Sequence, residues 1–133
     1  MPLSITGRAH TSRPARYLKQ LCSHLGEKLE VTFDAAGGTV RFESALTTLT
    51  VREGSLEVAI TGAEDLHVFR SMGIVAGHLE KFGAKESLAV EWDDADVEAA
   101  YLAKRAEIAA QREQEVAAEK ASRHAESASE VAS

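Results

Sequence analysis

Apolar and polar residues change period along this chain, and the changes mark its elements. Leu18, Leu21, Cys22 and Leu25 recur at helical spacing, so residues from about Pro14 onward predict a helix with one buried stripe. Thr11 or Ser12 is placed to cap it, and Pro14 fits the first turn because its missing N–H would have no intrahelical partner. Gly26 offers a left-handed stop. Period two then takes over. Leu29, Val31 and Phe33 alternate with Glu30, Thr32 and Asp34. Val40 and Phe42, then Leu49 and Val51, then Leu56, Val58 and Ile60, each alternate with polar or small residues. Gly37-Gly38 and Glu53-Gly54 are the predicted turns. The helical period returns from Glu64-Asp65, with Leu66, Phe69, Met72, Val75, Ala76, Leu79 and Phe82 as the expected apolar face and Gly83 as its end. A last strand spans Leu88 to Trp92, and Ile5 to Ala9 supplies a first one.

Alternation this regular means a sheet with one dry face and one wet face, the mark of antiparallel pairing. The expected architecture is α+β: β-α-β-β-β-β-α-β over residues 1–92, a one-sided, mainly antiparallel twisted sheet of five to six strands with two helices packed on one face. The other face, bearing Thr32, Arg41, Thr50, Arg52, Glu57 and Thr61, would meet water or a partner. The pattern leaves strand order open: the first and last strands could pair or flank opposite edges.

After Trp92 the composition shifts. Thirteen of the last 41 residues are alanine, so 93–133 reads as a helical tail, disordered from about residue 122. Its large apolar residues are too few for a strong coiled coil. The tail also carries most of the net charge. It holds ten acidic and five basic residues, whereas 1–92 holds 11 and 10, within a total net charge of −6. No basic footprint suggests nucleic acid. No apolar run approaches a membrane span, and no secretory signal is seen. With one cysteine and no internal disulfide, a cytoplasmic protein is expected.

Candidate chemistry is sparse. Cys22 and His24 suggest a Cys-x-His metal pair, but residues two apart on a helix point about 200° apart, and Cys22 sits on the leucine stripe as a small hydrophobe. His24 lies in the last turn, where the helix dipole favours a cation. His67 and His78 share a face with Ser71 and Ile74, opposite the expected core stripe, but lie roughly 16 Å apart along the axis. If the two helices pack side by side, His24 and His78 meet. That pair is the best metal or acid/base candidate, although two ligands do not close a zinc site. Arg16 and Tyr17 precede it on the first helix. Arg16 offers a fork for a carboxylate or phosphate, and Tyr17 a core-edge hydroxyl. Walker, dinucleotide, nucleophile-elbow and paired-cysteine motifs are absent, which disfavours an enzyme.

Two segments carry a family resemblance over roughly residues 4 to 92. Ala15-Arg16-Tyr17-Leu18-Lys19-Gln20-Leu21-Cys22-Ser23-His24 and His78-Leu79-Glu80-Lys81-Phe82 resemble the signature of the bacterial domain-of-unknown-function family catalogued as twenty-two eighteen. The chain departs from that pattern where Glu27-Lys28 replaces a common His-Lys and where Lys81 stands for arginine. The resemblance implies an accessory domain often found near, or fused to, siderophore-interacting proteins. The functional expectation is therefore a small non-catalytic binding or accessory protein, with Arg16, Tyr17, His24 and His78 lining its site and a metal ion as the cofactor His24 and His78 would take. The competing expectations are a small enzyme using His24 or His78, and a self-associating module acting through the sheet face or tail. The partners left open are a small ligand, a partner protein and a second copy of the chain.

Overall fold

The computed structural model describes residues 2–121 in full and the backbone alone over 122–132. The expected disorder from about residue 122 lies outside the fully described residues. Residues 1–98 form one compact unit and 99–133 a second.

The first unit runs β1 (Leu3–His10), α1 (Pro14–Leu25), β2 (Glu30–Phe33), β3 (Gly37–Phe42), β4 (Ala45–Arg52), β5 (Ser55–Gly62), α2 (Asp65–Phe82), a short 3-10 turn (Ala84–Glu86) and β6 (Val90–Trp92). The six strands pair antiparallel throughout in the order β2-β3-β4-β5-β1-β6. The strand order left open by the sequence is thus decided: β1 lies between β5 and β6. Asp93 fastens the β6 end, donating its N–H to the Thr6 carbonyl at 2.9 Å and accepting the Thr6 N–H at 3.1 Å.

Register turns the period-two pattern into rows across the sheet. Val31, Val40, Thr47, Ile60 and Ile5 stand side by side, as do Phe33, Gly38, Leu49, Val58 and Gly7. Val40, Leu49, Val58, Ile60 and Ile5 are buried, and with Leu18, Leu21, Cys22 and Leu25 of α1 and Met72, Val75 and Leu79 of α2 they make the core. Burying a Leu or Ile side chain contributes about 1.5–3 kcal/mol, so this face dominates stability. The opposite face holds short polar links: Arg8 and Arg52 both reach Glu57, at 3.4 and 3.2 Å, and Ser4 donates to Thr61 at 2.9 Å.

Several local expectations are corrected. Gly37 and Gly38 are not the turn but the start of β3. The turn is made by Asp34, whose Oδ1 accepts the N–H groups of Ala36 and Gly37 at 2.9 and 3.0 Å. The glycines serve close approach: a Cβ on Gly37 would lie 2.5 Å from the Leu49 carbonyl oxygen, and one on Gly38 2.7 Å from Phe33 Cβ. Gly54 does turn the β4–β5 hairpin, at φ +78°. Gly26 ends α1 in right-handed conformation (φ −63°), its N–H held by the Cys22 carbonyl. Arg13, not Thr11 or Ser12, is the N-cap residue of α1, and Thr11 Oγ1 accepts the Arg13 N–H instead. On α2 the buried face includes Val68 and Ser71, while Leu66 is 37% exposed and Phe69 and Phe82 are only half-buried. The stripe is rotated because the sheet, not the helix alone, sets which residues are covered. Phe33 is 44% exposed because β2 is an edge strand with a neighbour on one side only.

α3 (Ala95–Ala132) is a single long helix. Asp94 Oδ1 caps it, accepting the Asp96 and Val97 N–H groups. Among the described residues no helix is long and apolar enough to cross a membrane.

Candidate functional site

α1 and α2 cross on the dry face of the sheet, and their crossing brings His24 and His78 together. The ring centroids lie 4.9 Å apart at an interplanar angle of 48°. Phe82, one turn beyond His78, stands against both rings, at 5.7 Å from His24 and 5.9 Å from His78. His24 is exposed and His78 half-buried. His78 Nδ1 lies 2.6 Å from the Ile74 carbonyl. A carbonyl only accepts, so Nδ1 carries a proton, and in the neutral imidazole Nε2 is the nitrogen with the lone pair. This is the arrangement that presents an imidazole to an electrophile or a metal. Among the described residues, no group of three or more His, Cys, Asp or Glu side chains is placed to hold an ion.

The other two candidates stand apart from this pair. Tyr17 is buried two turns earlier on α1 and donates its hydroxyl to Glu86 Oε2 at 2.9 Å. Burial first, then that bond and the negative charge of Glu86, push the phenol above its ordinary 10.0. Hydrogen bonds from Thr11 and then Tyr17 hold the Glu86 carboxyl below its ordinary 4.5. Arg16 is exposed and makes no ion pair among the described residues. Among the described residues no hydrogen bond or ring contact joins Tyr17 or Arg16 to the His24–His78 pair. Cys22 faces the sheet, with its Sγ 3.2 Å from where a Cβ on Gly38 would sit, and burial pushes its thiol up to about 11. It is inert packing and points away from any ligand His24 could share.

One cluster has no simple sequence signal. Ser44 follows Glu43, which holds a left-handed φ of 52°, in the β3–β4 turn. Its hydroxyl lies 2.8 Å from His67 Nδ1 and its N–H donates to the same nitrogen at 3.2 Å, while His67 Nε2 meets Glu64 at 3.0 Å. The Glu64 N–H in turn donates to Ser44 Oγ at 3.2 Å. Serine, histidine and carboxylate in line suggest a nucleophile relay. Here, however, Nδ1 already accepts a backbone N–H and Oγ already accepts the Glu64 N–H before α2, so the cluster latches the hairpin to the helix. Only a positive φ at a non-glycine residue hints at it, and that is invisible in sequence. Ser71, taken from the sequence as lying opposite the core, is 3% exposed with its hydroxyl unpartnered. An open depression over β2–β4 is lined by Thr32, Phe33, Thr39 and Leu49 among others, and by no histidine.

The comparisons with known proteins agree with this fold. The chain is similar to the NMR structure of PA4090 from Pseudomonas aeruginosa, at 26% identity and a TM-score of 0.59, over 69% of this chain and 96% of that one. No curated protein matches it. The model of the family described as "Uncharacterized protein conserved in bacteria (DUF2218)" matches residues 6–93, the whole sheet but its first few residues together with both packed helices. The chain belongs to that family.

Proposed function

We propose that the protein is a non-catalytic binding or accessory domain, that its ligand site is the His24–His78 pair flanked by Phe82, and that it serves iron or siderophore handling in the cytoplasm. The observation that carries this is the state of the pair. His78 is oriented by the Ile74 carbonyl with Nε2 unused, and His24 beside it is exposed, its ring making no hydrogen bond among the described residues. Polar groups that stabilise a fold find partners inside it, whereas His24 is exposed and His78 half-buried with one ring nitrogen unpartnered. The link to iron or siderophores rests on the company such domains keep and is the finer part of the proposal.

A general acid/base role would use the same oriented imidazole but needs a concave site to hold substrate. The depression over β2–β4 is lined by threonines and lies apart from the histidines. Binding is accordingly the preferred role.

The test is native mass spectrometry with elemental analysis of tag-free protein, beside a His24→Ala/His78→Ala double variant. Ferric citrate titrations followed by Trp92 fluorescence accompany it. Wild type is expected to retain a stoichiometric metal or chelate that the double variant loses. Equal behaviour of the two proteins in every assay would refute the assignment of the site.

A further inference from the structure

From the geometry of the same pair we infer that His24 and His78 form half of a site for a late first-row divalent ion such as Zn2+, Cu2+ or Ni2+, completed by the same two histidines of a second copy of the chain. This rests on the reading of the pair as a ligand site, not on its link to iron, and adds both the ion class and the partner.

Ring spacing is the first argument. Two imidazoles bound cis to one ion through nitrogens about 2.0–2.1 Å away place their centroids roughly 4.5–5.2 Å apart. The observed 4.9 Å falls inside that window. The second argument is tautomer. The Nδ1–H of His78 is committed to the Ile74 carbonyl, so Nε2 is a ready ligand with its outer hydrogen bond in place. Ligand chemistry is the third. Neutral imidazoles suit borderline divalent ions. Mg2+ and Ca2+ demand oxygen, and no carboxylate joins the pair in a set of three among the described residues.

That deficit names the partner. Two nitrogens leave a four-coordinate ion half-coordinated, whether tetrahedral as for Zn2+ or square-planar as for Cu2+ and Ni2+. A twofold axis through the ion supplies the same two nitrogens again, an isologous contact of the commonest oligomer symmetry. Phe82, half-buried beside both rings, gives the contact an apolar flank. The domain itself adds little repulsion: residues 1–92 carry 11 acidic and 10 basic side chains, and most of the net charge of −6 lies in 93–133.

The experiment is size-exclusion chromatography with light scattering, and native mass spectrometry, on the full tag-free chain titrated with Zn2+, Cu2+ or Ni2+. A dimer holding one ion is expected, reversed by a chelator. His24→Gln and His78→Gln should each abolish it, and His10→Ala should not, because His10 is exposed and paired with Glu91 elsewhere. Circular dichroism confirms that each variant is folded. A monomer binding one ion would overturn the second-copy site while leaving the binding reading intact. A dimer insensitive to chelator or to either histidine would overturn it as well. No metal uptake overturns the inference; if ferric citrate binding also fails to depend on the pair, the binding reading falls with it.

Discussion

Tyr17 and His24 lie on the same helix, two turns apart, and have opposite fates. At the N-terminal end Tyr17 is buried and its hydroxyl is spent on Glu86, which also takes Thr11. At the C-terminal end His24 is exposed and lies at a tilt beside an imidazole whose other nitrogen is unused. Both residues belong to one sequence signature, yet one end is saturated and the other is open. A polar group satisfied within the fold reports on stability, and one left exposed is free to meet water or a ligand.

The largest effect should come from the residue between the two ends. Leu21 is fully buried, so Leu21→Ala should cost about 2–5 kcal/mol in urea unfolding and loosen both ends together. A cost below 1 kcal/mol would mean that α1 is not anchored through this stripe. Next comes the contrast itself. Tyr17→Phe should cost about 1 kcal/mol, from one hydrogen bond to a carboxylate at a partly wet edge. His24→Ala should stay within about 0.5 kcal/mol of wild type. Equal losses would erase the distinction between a saturated and an open end. The smallest effect is in acid. The Glu86 carboxyl is lowered in the fold, so between its folded and unfolded values the unfolded chain binds more protons. Its contribution is therefore present above about pH 4.5 and lost as pH falls through the lowered value. Tyr17→Phe should flatten this slope, measured as Tm against pH between 3 and 6. An unchanged slope would show that Thr11 alone holds the carboxylate.

Much of this was legible in local pattern, and the exceptions share a cause. The alternation through Val40, Leu49, Val58 and Ile60 identified the dry face because side chains on a strand alternate by geometry alone. Leu18, Leu21, Cys22 and Leu25 marked the buried side of α1 for the same kind of reason. Leu66, Phe69 and Phe82 misled because coverage of α2 depends on where the sheet ends beneath it. Gly37-Gly38 misled because glycine serves both turns and close approach, and only the neighbouring Leu49 carbonyl distinguishes the two. At the site, the meeting of His24 with His78 was foreseeable if the helices packed side by side. The diversion of Tyr17 to Glu86, 69 residues away, was not.

The sequence by itself determined the element order, the one-sided antiparallel sheet, the hairpin at Gly54 and the concentration of charge beyond Trp92. These follow from short-range periodicity, backbone freedom at glycine and composition. Only the tertiary structure decided that β1 lies between β5 and β6, that Asp34 rather than the glycines makes the second turn, that Ser44 latches to His67, and that His24 and His78 stand 4.9 Å apart. Each of those depends on contacts between residues distant in the chain, whose geometry is set by packing the whole core at once.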